Sequence, residues 1–156
     1  MSNTAFHNSL ETVHTIMQHL AHAQMATWLF GGWAEELHAL CPPRPHQDID
    51  LLYPAQDFTH LDQWLTTTRD FSIISAKRFS HKRALLYKQI MIELFLLEPQ
   101  QESYITRFFD NTFQLIWPTN TLDLLFVANR SIPLASVQAL SLYRQKHQHI
   151  TDAYHR

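Results

Sequence analysis

Two adjacent glycines, Gly31-Gly32, are the whole glycine supply of this 156-residue chain; they stand between the apolar segment TWLF and the segment WAEELHAL. A chain this poor in glycine has few places where the backbone can turn into a left-handed conformation cheaply or approach another group closely. The fold must therefore place a corner, or a close approach, at residues 31–32. Soon afterwards Asp48 and Asp50 bracket Ile49 in the apolar run DIDLLY. Whatever architecture the chain adopts has to bring a glycine corner and a pair of acids into one small region.

The periodicities around these residues define the elements. Residues 5–25 carry Leu10, Val13, Ile16, Met17 and Leu20 at helical spacing. TWLF (27–30) reads as a short buried strand, and WAEELHAL as a helix of about two turns stopped at Cys41-Pro42-Pro43. Pro42, Pro43 and Pro45 stiffen a loop that delivers the chain to the strand DIDLLY, ended by Pro54. Residues 57–68 predict a helix capped by Asp57, with Phe58, Leu61, Trp64 and Leu65 inward. FSIISA (71–76), RALLYK (83–88) and IMIELFLL (90–97) predict three strands, the last central and covered on both faces. Residues 102–117 are ambiguous, with FQLIW a candidate strand. A short helix is expected at 121–128 and a longer one at 134–148. No repeat or linker divides the chain, and 156 residues suffice for one core, so a single domain over 1–156 is expected. The expected class is α+β, a single mixed β-sheet with helices packed on it.

Alternate residues of a strand share a face, so Asp48 and Asp50 project together while Ile49 points into the core. Like charges that close repel unless a cation sits between them. Magnesium, a hard ion that takes carboxylate and phosphate oxygens, answers that need. Glu93 is the lone acid in IMIELFLL, and a charge inside such a strand is costly without a partner. If that strand lies beside DIDLLY, Asp48, Asp50 and Glu93 share one face and can hold two metal ions roughly 3.5–4 Å apart, the arrangement used for in-line displacement at phosphorus. Gly31 and Gly32 would let backbone N–H groups meet a phosphate, and the helix after them adds its positive end. A Gly-Gly pair or a DxD alone is most often a turn or a strand end; the combination carries the argument.

These residues bear a family resemblance. Gly31-Gly32-Trp33-Ala34 followed by His46-Gln47-Asp48-Ile49-Asp50-Leu51 resembles the DNA polymerase β superfamily of nucleotidyltransferases, closest to its aminoglycoside and lincosamide nucleotidyltransferases. Arg44 and His46 stand at the loop positions of that pattern, and Glu93 where the family has aspartate, one methylene shorter. SLYRQKH (141–147) is similar to a Tyr-Arg segment with a nearby Lys. The resemblance implies a polymerase β-like nucleotidyltransferase fold. It implies that Asp48, Asp50 and Glu93 are catalytic and bind magnesium, two ions, with Glu93 also a general base. It implies that Gly31, Gly32 and Arg44, with Arg144 and Lys146, contact a nucleoside triphosphate. The implied reaction moves a nucleoside monophosphate, AMP from ATP, to a hydroxyl of a small molecule such as an aminoglycoside or lincosamide antibiotic. Two other readings stay open: a minimal nucleotidyltransferase of a toxin–antitoxin pair that modifies a protein or RNA, and a catalytically silent nucleotide-binding relative.

Composition narrows the setting. The formal net charge of −2 gives no argument for a nucleic-acid partner, although Lys77, Arg78, Lys82, Arg83 and Lys88 cluster in 77–88 and read as solvated faces or phosphate-facing patches. Eleven histidines include no HExxH pair and no finger spacing with cysteine, so zinc is not expected. No run of about 18 apolar residues suggests a membrane span. The first residues lack the basic cluster of a secretory signal, and the lone Cys41 forms no internal disulfide. A cytoplasmic enzyme is the expectation, with a homodimer left open.

Overall fold

The structure, a computed structural model, describes residues 8–155. Helix α1 (Leu10–His22) starts where Ser9 accepts a hydrogen bond from the Thr12 N–H, and it buries Val13, Ile16, Met17 and Leu20. Residues 5–7 of the expected helix lie outside the described residues. Strand β1 (Trp28–Phe30) runs directly into α2 (Gly31–Leu37), and Gly31 turns the corner at φ +63°. The chain then reaches β2 (Asp48–Pro54) and α3 (Thr59–Leu65). Asp57 Oδ1 accepts the Thr59 N–H at 2.9 Å, so Asp57 does tie down the start of α3.

The strand expected at 71–76 is short: β3 (Ser72–Ile73) gives way to a single 3-10 turn at Ser75–Lys77. Strands β4 (Lys82–Tyr87) and β5 (Ile90–Gln100) form a hairpin whose two turn residues, Lys88 and Gln89, have φ of 46° and 68°. The ambiguous stretch resolves into β6 (Ser103–Arg107), the single turn α4 (Phe108–Asn111) and β7 (Phe113–Ile116). The helix expected at 121–128 is instead strand β8 (Leu122–Val127). It pairs antiparallel with β9 (Arg130–Ala135) through a turn at Ala128 and Asn129. Both turn residues have positive φ, the twist that matches a two-residue hairpin. The terminal helix therefore begins later than 134, as α5 (Val137–Gln145), capped by Ser136, and is followed by α6 (His147–Tyr154).

One nine-stranded sheet results, in the order β3-β4-β5-β2-β1-β9-β8, with β6 and β7 continuing from the far end of β5. β2–β5 and β1–β9 are parallel and the other pairings antiparallel, so the sheet is mixed. β5 lies between β4 and β2, and its residues Ile92, Leu94 and Leu97 are fully buried. Burying such side chains contributes about 1.5–3 kcal/mol each, and this pins the register that matters here: Asp50 is the ladder partner of Glu93 on one side and of Phe30 on the other. Among the described residues no helix is long and apolar enough to cross a membrane.

Candidate active site

Three carboxylates come from two neighbouring strands. Asp48 and Asp50 point to the same side of β2, while Ile49 between them is fully buried on the other. Glu93 stands level with Asp50 on β5. This is the adjacency that the sequence pattern requires. The three acids are not equivalent, however. Asp48 is exposed, whereas the Oδ1 atom of Asp50 is shielded from solvent and accepts no hydrogen bond from any described residue.

The electrostatics separate Asp50 from Glu93 further. Burial, then the charges of Glu93 and Asp48, then a hydrogen bond to Glu93, push the Asp50 carboxyl up to about 7, with Lys82 opposing. Asp48 is also raised, by burial first and then by Glu93, against Lys77 and Lys82. Burial acts on Glu93 in the same direction, but two ammonium groups overcome it and hold Glu93 below the usual carboxylate range. Lys82 Nζ donates to Glu93 Oε2 at 3.0 Å and Lys77 Nζ to the same oxygen at 3.4 Å. The Lys82 and Glu93 side chains are only 17% and 13% exposed, so little water screens that pair.

The glycine corner closes the other side. A Cβ on Gly31 would overlap Asp50 Oδ2 and lie 3.0 Å from Asp50 Cγ, and the left-handed backbone there already favours glycine. A Cβ on Gly32 would lie 2.7 Å from Arg44 Nη2 and 3.1 Å from His46 Nδ1. Gly31 is thus the floor under Asp50, and Gly32 the floor under the Arg44–His46 loop. Glu36 fastens that loop: its Oε1 accepts from His46 Nε2 at 2.8 Å and from the Arg44 N–H at 3.1 Å. Burial works to raise Glu36, yet these hydrogen bonds and the nearby positive charges leave it lowered. Trp33 packs its ring 4.3 Å from His46 and donates to Asn8, which in turn donates to the Asp48 carbonyl.

The remaining expected contacts divide. Arg144 reaches the corner region, where it is paired with Glu35 beside a cavity of about 330 Å³ also lined by Gly31, Tyr143 and His147. Lys146 caps the end of α5 and takes no part in the ion pairs among the described residues. Tyr143, which the sequence reading passed over in favour of its neighbour Arg144, lies over the acid face. Its ring sits 4.9 Å from Phe30, and burial, then Asp50 and Glu93, push its hydroxyl up to about 12. Lys77 and Lys82 were legible only as members of a basic cluster; their attachment to Glu93 requires the β4–β5 register.

The donor set suits a hard divalent cation at the aspartates: an orphaned buried carboxylate oxygen on Asp50, an exposed carboxylate two residues away, and mutual repulsion that a cation would relieve. Among the described residues no three His, Cys, Asp or Glu side chains are grouped to hold one ion, and Oε2 of Glu93 is engaged by two lysines. The arrangement sets two aspartates of β2 beside an ionised carboxylate on β5, with a glycine corner opposite.

Comparison with known proteins follows this geometry. The sequence pattern of the aminoglycoside-2''-adenylyltransferase family matches residues 12–154. A search of curated proteins gives no match. Among solved structures, the lincosamide antibiotic adenylyltransferase LnuA with lincomycin bound is 17% identical and has a TM-score of 0.70, covering 95% of this chain and 98% of that one. ANT(2'')-Ia in complex with adenylyl-2''-tobramycin is 14% identical with a TM-score of 0.62, covering 93% of this chain and 84% of that one. An antigenic nucleotidyltransferase-like protein from Paracoccidioides brasiliensis is 19% identical with a TM-score of 0.51, covering 92% and 72%. At these identities the likeness is one of fold.

Proposed function

Since the chain belongs to the aminoglycoside-2''-adenylyltransferase family, an enzyme family, we propose that it transfers AMP from ATP to a hydroxyl group of a small molecule and releases pyrophosphate. Aminoglycoside and lincosamide antibiotics are hydroxyl-bearing acceptors of the kind such transfer requires. The observation that carries the reading is Asp50, whose Oδ2 lies against the Gly31 corner and whose buried Oδ1 lacks a partner among the described residues, one that a cation would supply.

In this reading Asp48 and Asp50 hold magnesium. When bound, the ion supplies Lewis acidity and offsets charge on the triphosphate. The backbone N–H groups at Gly31-Gly32, which carry no side chain of their own, and the Arg44 guanidinium beside Gly32 take phosphate oxygens. Glu93 faces the acceptor. Its Oε2 is committed to Lys82 and Lys77, which keep the carboxylate ionised, so Oε1 is the atom that receives the hydroxyl proton. The hydroxyl oxygen bonds to the α-phosphorus as the bond from that phosphorus to pyrophosphate breaks. Tyr143, its own proton held tightly, covers the acid face and excludes water from it.

The test is pyrophosphate release with magnesium and each of the four nucleoside triphosphates, against a panel of hydroxyl acceptors that includes aminoglycosides and lincosamides. Release that needs magnesium, ATP and an acceptor together is expected. No release from any combination would overturn the proposal; triphosphate binding by calorimetry would then favour the silent nucleotide-binding relative.

A further inference from the structure

The segment that carries Arg44 has little of its own to hold it. Three of the six residues 41–46 are prolines, which have no N–H to donate. Among the described residues none of the six joins a backbone–backbone hydrogen bond. Both hydrogen bonds that the segment makes there end on one atom, Oε1 of Glu36. An ionised carboxylate only accepts, so His46 Nε2 carries a proton and donates it, and the Arg44 N–H donates beside it. The contact is shielded from water, the side chains of His46 and Glu36 being 4% and 16% exposed. A second tie starts about one turn back on α2, where Trp33 packs on the His46 ring and reaches the Asp48 carbonyl through Asn8. One short helix thus grips the segment where it passes the glycine corner and where it enters β2.

The groups nearest the open side of Gly32 are Arg44 Nη2 and His46 Nδ1, and the Arg44 guanidinium is in no ion pair among the described residues. We propose that Glu36 is a positioning residue for the triphosphate: it fixes the backbone at Arg44, so that the guanidinium stands beside Gly32 before any phosphate arrives. Without Glu36 the proline segment keeps only its ends and the Trp33 contact. Arg44 must then be ordered each time a nucleotide binds, and that ordering weakens affinity. The proposal rests on the nucleotidyl-transfer reading and adds a residue that acts on the nucleotide only through Arg44.

The test compares Glu36→Ala, Glu36→Gln, Arg44→Ala and the double variant Glu36→Ala/Arg44→Ala. Binding of two probes is measured by calorimetry with magnesium: the α,β-methylene analogue of ATP, and inorganic tripolyphosphate. Glu36→Ala is expected to weaken both about tenfold or more, the scale of a lost hydrogen bond to a charged group. Glu36→Gln keeps an acceptor oxygen at the same reach and should recover most of that loss. In the Arg44→Ala background, Glu36→Ala should add little, because its effect passes through Arg44. Should Glu36→Ala not fold, Glu36→Met keeps the stem without the acceptor and takes its place. Binding by Glu36→Ala as tight as the parent's, a Gln variant as weak as the Ala variant, or losses that add in the double variant would each overturn the proposal. A parent that binds neither probe would instead overturn the triphosphate reading beneath it.

Discussion

Asp50 and Glu93 are ladder partners across the parallel β2–β5 pair, yet among the described residues only Glu93 is ion-paired, to Lys82 and Lys77. In the proposed reading Asp50 is left to a metal ion, while Glu93 is held by two lysines.

Asp50→Asn keeps the size of the side chain and removes the charge. Magnesium-dependent transfer is expected to fall by at least about a hundredfold, equivalent to about 2.7 kcal/mol of transition-state stabilisation. Urea unfolding in the presence of a chelator at pH 8 is expected to show the variant more stable than the parent. A variant as active as the parent would remove Asp50 from the site.

The pH dependence of that difference is the sharper measurement. Asp50 has a folded pKa of about 7 against an ordinary 3.8, so the folded state binds the proton more tightly. The stability this contributes is complete below about 3.8 and is lost as pH rises through about 7. His81, buried and held at about 3, works in the opposite direction between about 3 and 6.5. Comparing the parent with Asp50→Asn cancels the His81 contribution. The advantage of the variant should grow between pH 5 and pH 8 by on the order of a few kcal/mol in metal-free buffer. A constant difference would show that Asp50 titrates normally.

The two glycines are expected to respond differently. Gly31→Ala combines the left-handed cost of about 1–2 kcal/mol with overlap on the Asp50 carboxylate, and should lower thermal stability and abolish transfer. In Gly32→Ala the nearest obstacle is the end of the Arg44 side chain, which can swing aside, so the loss should stay within about 1 kcal/mol. Equal melting temperatures for the two variants would contradict the close approach of Gly31 to Asp50.

Lys82 and Glu93 should be energetically coupled. Lys82→Met and Glu93→Gln each cost stability, and the double variant should lose less than their sum, with an interaction of about 1–3 kcal/mol. Lys82→Arg should restore part of it. Additive losses in urea titrations would mean that the pair contributes nothing to holding Glu93.

The sequence made the acid ladder readable because each of its features is local. Two glycines side by side, two acids at strand spacing and one acid in an apolar strand can be seen without knowing any partner. The sequence supposes that the two strands lie side by side, and the β2–β5 ladder meets that condition, in a parallel sense the sequence did not indicate. The lysines were not readable in this way, since Lys82 is brought to Glu93 only by the hairpin register and Lys77 only by a 3-10 turn that replaces the end of an expected strand. Tyr143 was hidden because helix α5 crosses the sheet at a distance in sequence. The β8–β9 hairpin escaped because its turn is Ala128-Asn129, without the glycine that usually marks such turns, and because Leu124 and Phe126, 62% and 70% exposed, imitate the apolar content of a helix face.

The central claim is that the aspartates of β2 and the glycine corner hold one metal–triphosphate unit between them. A crystal structure with magnesium and a non-hydrolysable ATP analogue tests it most directly. The account predicts an ion bound by Asp48 and Asp50, with phosphate oxygens on the backbone at Gly31-Gly32; a triphosphate bound elsewhere, or an ion that avoids both aspartates, would contradict it.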